Sequence, residues 1–145
     1  MEHPVNVTLA YLISLVCDVR NGDVPAAILA VLIELDFQPY MDGFSYLRKV
    51  ILLKHDNPDM RLSVMYEEIV RTSDSAFCAK QVEQAIISAI ESAWENRDKA
   101  KWDYFFSEEK MGKKTKPTNK EFISQMACFM ELWSSHCKGV QYAIK

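Results

Sequence analysis

The sequence predicts an all-α domain, and three observations carry that expectation. Apolar residues recur at i, i+3, i+4 and i+7 in segment after segment, the spacing that lines one face of a helix. No stretch of strand length alternates apolar and polar residues, and no internal repeat is visible. The 145 residues are 49% hydrophobic with only 4 Gly and 5 Pro, which supplies a core and few helix breakers. One domain over 1–145 is expected, a compact six- to seven-helix unit containing a helix-turn-helix.

The elements follow in order. Leu9, Leu12, Ile13, Val16 and Val19 lie at helical spacing between Asn6 and Asn21, and Asn21-Gly22 supplies a stop, giving a first helix over about 5–21. Asp23-Val24-Pro25 opens a second helix with an acidic cap and an early proline, where the missing N–H costs least. Its body, Ala26 to Leu35, is apolar nearly all round, so it is expected to be buried. After a turn at Gln38 to Gly43, Phe44, Leu47, Val50 and Ile51 mark a third helix, which ends near His55-Asp56-Asn57-Pro58.

Leu62, Met65, Tyr66 and Ile69 define a fourth helix that stops near Arg71, and Thr72-Ser73-Asp74-Ser75 forms a polar connection. The fifth helix, Cys78 to Trp94, has the clearest stripe: Val82, Ala85, Ile86, Ala89, Ile90 and Ala93. Asn96 to Phe106 holds a short helix with Trp102, Phe105 and Phe106, and a lysine-rich loop follows over 107–117. Thr118-Asn119-Lys120-Glu121 has the form of a capping box, and Phe122, Met126, Phe129, Met130 and Trp133 form the stripe of a last helix over about 118–138, with Gly139 as its end.

Catalytic chemistry finds no support. Gly112-Lys113-Lys114-Thr115 resembles the end of a phosphate-binding loop, but its first glycine would fall at Ser107 and no strand precedes it. His3, His55 and His136 are scattered, and His136-Cys137 lacks the second pair that a tetrahedral metal site needs. The carboxylate pairs Glu67-Glu68 and Glu108-Glu109 diverge by about 100° on a helix and cannot share a reaction centre. No enzyme, cofactor or metal is expected.

Cys17, Cys78, Cys128 and Cys137 have no C-x-x-C spacing and sit within apolar patterns, where reduced thiols act as small core hydrophobes. The longest apolar run, Pro25 to Ile33, falls short of the roughly 20 residues of a membrane span, and Met1-Glu2-His3 lacks the basic start of a signal peptide. A cytoplasmic protein without a membrane role is expected.

The net charge of −3 hides an uneven distribution. Residues 1–77 carry 6 basic against 11 acidic groups, whereas residues 78–120 carry 9 against 7. Helix four, the polar turn and helix five together have the layout of a helix-turn-helix over 59–94. Two helices joined by a polar turn also occur in ordinary helical cores, and a lysine run is also the pattern of a solvated loop.

Three ordered blocks then carry a resemblance. Gly43 with Tyr46-Leu47-Arg48 is one, and Val82-Glu83, Ala85-Ile86, Ala89-Ile90-Glu91 and Ala93-Trp94 make up the second. Lys116-Pro117-Thr118-Asn119 with Glu121, Phe122 and Ile123 is the third. Between about Ile28 and Leu132 the chain resembles the C-terminal effector domain family of the sporulation response regulators of Firmicutes, stage-zero sporulation protein A.

That resemblance implies a six-helix transcription-regulating domain whose recognition helix, here about 78–94, enters the major groove of double-stranded DNA. It also implies tandem copies on DNA, and the first helix is expected either to cap the fold or to form a homodimer. The base-facing candidates are Lys80, Gln81, Glu83, Gln84, Ile87 and Ser88. The phosphate candidates are Lys113, Lys114, Lys116, Thr118, Asn119 and Lys120, where lysines meet a helix N-terminus.

The chain departs from the family where its helix is rich in arginine and histidine. Gln81, Gln84, Ile87 and Ser88 stand at those positions, Lys80 is the one cation left on the helix, and the turn is about two residues longer. Glutamine prefers adenine where arginine reads guanine, so the family's target sequence does not carry over by itself. Only some 27 residues precede the matched region, too few for the family's phosphorylatable receiver, so either a stand-alone or an excised effector domain is expected. The rival expectation is a degenerate effector fold that binds a protein partner through Ile87 and its neighbours.

Overall fold

The computed structural model describes residues 4–16, 19–20, 22–73, 78–112 and 115–144, and the side chains of all of these except 4–7, 109–110 and 140–144. The described residues include seven helices of two turns or more and one single-turn helix, and none of these residues is in a strand. They are α1 (Pro4–Leu15), α2 (Val24–Glu34), α3 (Asp42–Asp56), α4 (Leu62–Thr72), α5 (Ala79–Glu95), α6 (Lys99–Phe106), α7 (Glu108–Met111) and α8 (Asn119–Ile144). The all-α expectation therefore holds.

Local chemistry explains the boundaries. Asp23 caps α2 by accepting the Ala26 N–H at 3.1 Å, with Pro25 in the first turn where its missing donor costs nothing. At the other end Asp36 adopts φ 67, Phe37 N–H bonds to Leu32 C=O at 3.1 Å and Asp36 N–H bonds to Ile33 C=O at 3.1 Å. This is the Schellman closure, made here without the usual glycine. Thr118 and Glu121 form the expected capping box: the Thr118 N–H donates to the Glu121 carboxylate at 2.9 Å, and the Glu121 N–H donates to the Thr118 hydroxyl at 3.2 Å.

Four expectations are corrected. The first helix ends at Leu15 rather than near Asn21, and the chain then turns through Val19 N–H to Val16 C=O. Asn21 lies outside the described residues, and Gly22, at φ 82, takes the left-handed bend that redirects the chain into α2. The loop expected over 107–117 contains the turn α7. The last helix continues past Gly139 to Ile144, because Gly139 is not left-handed and simply occupies a helical position. Finally, among the described cysteines Cys137 alone is a core thiol: Cys78 and Cys128 are exposed, and Cys17 lies outside the described residues.

The core gathers around α3, which packs against α2, α4, α5 and α8. Gly43, Phe44, Tyr46, Leu47, Val50 and Ile51 are all buried along it. Beside them Phe37, Trp102, Phe106 and Phe122 form an aromatic group in which Phe106 and Phe122 stack at 4.9 Å. Trp102 brings a polar group into this apolar surrounding, and its indole N–H is satisfied by the Leu35 carbonyl at 3.1 Å. That bond ties α6 to the end of α2, the helix that the sequence marks as buried.

Candidate nucleic-acid interface

The inner stripe of α5 reads as expected: Val82, Ile86, Ala89, Ile90 and Ala93 are buried. Its small residues let another backbone come close. A Cβ built on Gly43 would stand 2.1 Å from the Ala85 carbonyl oxygen, so the start of α3 lies directly on α5. Only glycine fits at that contact. The depth and angle at which α5 sits on the core are thereby set by backbone rather than by a deformable side chain.

The outer side of α5 carries Lys80, Gln81, Gln84 and Ser88, all exposed. Successive steps of 100° place these four within about a third of the helix circumference. Ile87 stands at the edge of that face and is half-buried, while Glu83 is exposed on the flank nearest α8. No described segment covers the four polar side chains. Glu91 lies on the same face and is ion-paired with Lys116, 25 residues further along the chain.

The phosphate candidates divide differently. Lys113 and Lys114 lie outside the described residues. Lys120 is exposed and has no ion pair among the described residues, whereas Lys116 is held by Glu91. Thr118 is exposed, but its N–H and its hydroxyl are both engaged in the capping box. Asn119 is turned inward and is 8% exposed: its side-chain amide donates to the Tyr66 hydroxyl at 3.1 Å and to the Glu83 carbonyl at 3.2 Å. With both amide hydrogens committed, Asn119 ties α8 to α4 and α5 rather than facing a phosphate.

This three-helix tie has no signature in the sequence, because its members are 53 and 36 residues apart. The asparagine of the Lys-Pro-Thr-Asn block is the one hint. Burial pushes the Tyr66 hydroxyl above its ordinary value of 10.0, and the Asn119 hydrogen bond works in the opposite direction. On the exposed side of α4, Arg71 bonds to the Glu68 carboxylate and lowers its pKa.

Together α4, α5 and the start of α8 define a helix-turn-helix domain of the effector type, held on a helical core and presenting one polar helix face. Residues 28–130 match the family model of the sporulation initiation factor Spo0A C terminal, and the chain belongs to that family. The family is one of non-catalytic effector domains, in keeping with a sequence that offers no catalytic constellation. Among the described residues no helix is long and apolar enough to cross a membrane, and no cluster of three potential metal ligands occurs.

Proposed function

We propose that this protein is a transcriptional regulator that binds duplex DNA by laying the outer face of α5 in the major groove. The observation that carries the reading is the exposure of Lys80, Gln81, Gln84 and Ser88 on one side of a helix whose other side is locked to the core. An α-helix fits the major groove, and a reader needs its polar side chains outward and its backbone fixed. Family membership supports the same role and associates it with sporulation.

Gln84 is the best placed of these residues to read an adenine edge through its amide, with Ser88 one turn on and Ile87 at the margin for a thymine methyl. Lys120, Lys113 and Lys114 supply the phosphate contacts, and Lys116 joins them once Glu91 is displaced. Tandem copies or a homodimer on neighbouring half-sites would supply the affinity that one glutamine-rich helix lacks. The role places the protein in the cytoplasm, with its DNA.

A selection from randomised duplexes tests the assignment. The wild-type chain is expected to enrich sites containing adenine at fixed positions, and Gln84→Arg to shift the enrichment toward guanine. An unchanged preference in that variant would remove α5 as the reader.

A further inference from the structure

Beside the proposed reading face lies a cleft of about 530 Å³ whose apolar interior is not part of the DNA reading. Its walls come from three elements: Leu62 and Tyr66 of α4, Ile87 and Ile90 of α5, and Pro117 and Lys120 at the start of α8. The size falls within the range of small-molecule sites, and the lining is mostly apolar with a few converging polar groups, the composition that such sites share.

Two of those polar groups keep a donor that no described residue accepts. The Tyr66 side chain is only 5% exposed, and its hydroxyl accepts a hydrogen bond from Asn119, which leaves its own proton without an acceptor among the described residues. A buried donor left unmade is costly, so an acceptor supplied from the cleft would stabilise it. Lys120, on the same side, has no ion pair among the described residues. Lys116 also lines this side, but Glu91 already neutralises it. Glu83 of α5 also lines the cleft and repels an anion near it, so a negative head group is placed by Lys120.

We infer that the cleft between α4, α5 and the start of α8 is a binding site for a small amphipathic carboxylate. Its apolar body lies against Leu62, Ile87 and Ile90, and its carboxylate accepts from the Tyr66 hydroxyl and the Lys120 ammonium. A ligand seated there touches both helices of the helix-turn-helix. Ile87 and Lys120 are shared with the DNA reading, but the inference does not depend on it.

The test is a titration of the ¹⁵N-labelled full chain, without DNA, using decanoate below its micellar range and decanol as the uncharged analogue. Saturable amide shifts are expected at Tyr66, Ile87, Ile90 and Lys120, with decanol binding about tenfold more weakly, the worth of one charge-assisted hydrogen bond. Ser63 is exposed and lies at the rim, so Ser63→Trp blocks the mouth without touching the core, and it is expected to abolish saturation. Lys120→Gln is expected to bring decanoate close to decanol. Shifts that do not saturate, that map away from the cleft or that persist in Ser63→Trp would overturn the site. An unchanged preference for decanoate in Lys120→Gln would overturn the head-group assignment.

Discussion

Gly43 and Ala85 meet backbone to backbone: a methyl group on the glycine would fall 2.1 Å from the alanine's carbonyl oxygen and 2.9 Å from the Ala89 Cβ. Neither partner is a flexible side-chain end, so the contact cannot relax without moving α3 or α5. Gly43→Ala is expected to lower stability by about 1–3 kcal/mol, near the upper end because the clash is with backbone. Urea denaturation measures this, and an unchanged midpoint would mean that α5 is not held at this point.

Asn119 is expected to be worth more than its exposed neighbours. Asn119→Ala removes two hydrogen bonds and leaves the Tyr66 hydroxyl and the Glu83 carbonyl short of a donor, at a cost of roughly 1–3 kcal/mol. Lys120→Ala, on an exposed side chain with no ion pair among the described residues, is expected to stay within about 0.5 kcal/mol of wild type. A double-mutant cycle of Asn119→Ala with Tyr66→Phe should show coupling, because the two share one bond.

Tyr66 also sets an alkaline limit. Burial raises its folded-state value above the 10.0 of the free group, so the unfolded chain loses this proton first. The associated stability is complete below about pH 10 and is lost as pH rises through the folded-state value. Denaturation midpoints measured across this range should fall in wild type and fall less in Tyr66→Phe. Equal slopes in the two proteins would remove Tyr66 as a source of the effect.

Asp36 offers a gain. It holds a left-handed conformation, φ 67, in a closure where glycine is the unstrained choice. Asp36→Gly relieves the strain but gives the unfolded chain more freedom, so a net stabilisation of about 0.5–1 kcal/mol is expected, visible as a raised thermal midpoint. A lowered midpoint would show that the aspartate side chain contributes more than its backbone costs.

The helices are legible in the sequence where their signals are local. The capping box at Thr118 and Glu121, the Asp23-Pro25 start and the alanine stripe of α5 each lie within a few turns of chain and form as expected. Gly139 misleads because glycine marks a helix end only when it takes the left-handed conformation, and the neighbours that decide this are not visible in the sequence. Cys128 misleads for a related reason: it falls near an apolar stripe, yet the helix turns it outward.

The candidate site divides along the same line. The outward positions Lys80, Gln84 and Ser88 follow from helical spacing. Asn119 and Lys116 have the sequence pattern of phosphate ligands because they sit beside a helix N-terminus, but their partners Tyr66, Glu83 and Glu91 come from other helices. Pairings of that kind depend on the packing angle of α8 against α4 and α5, which periodicity does not encode.

The most direct measurement is a fluorescence-anisotropy titration of the chain against a mixed pool of duplex DNA at about 50 and 200 mM salt. If α5 and the lysines of 113–120 grip the duplex, binding is present at the lower salt and weakens steeply at the higher one. Replacing Lys113, Lys114 and Lys120 with glutamine should then reduce the salt slope by nearly one unit for each phosphate that is no longer neutralised. No binding at the lower salt, or a slope unaffected by those replacements, contradicts the proposed role.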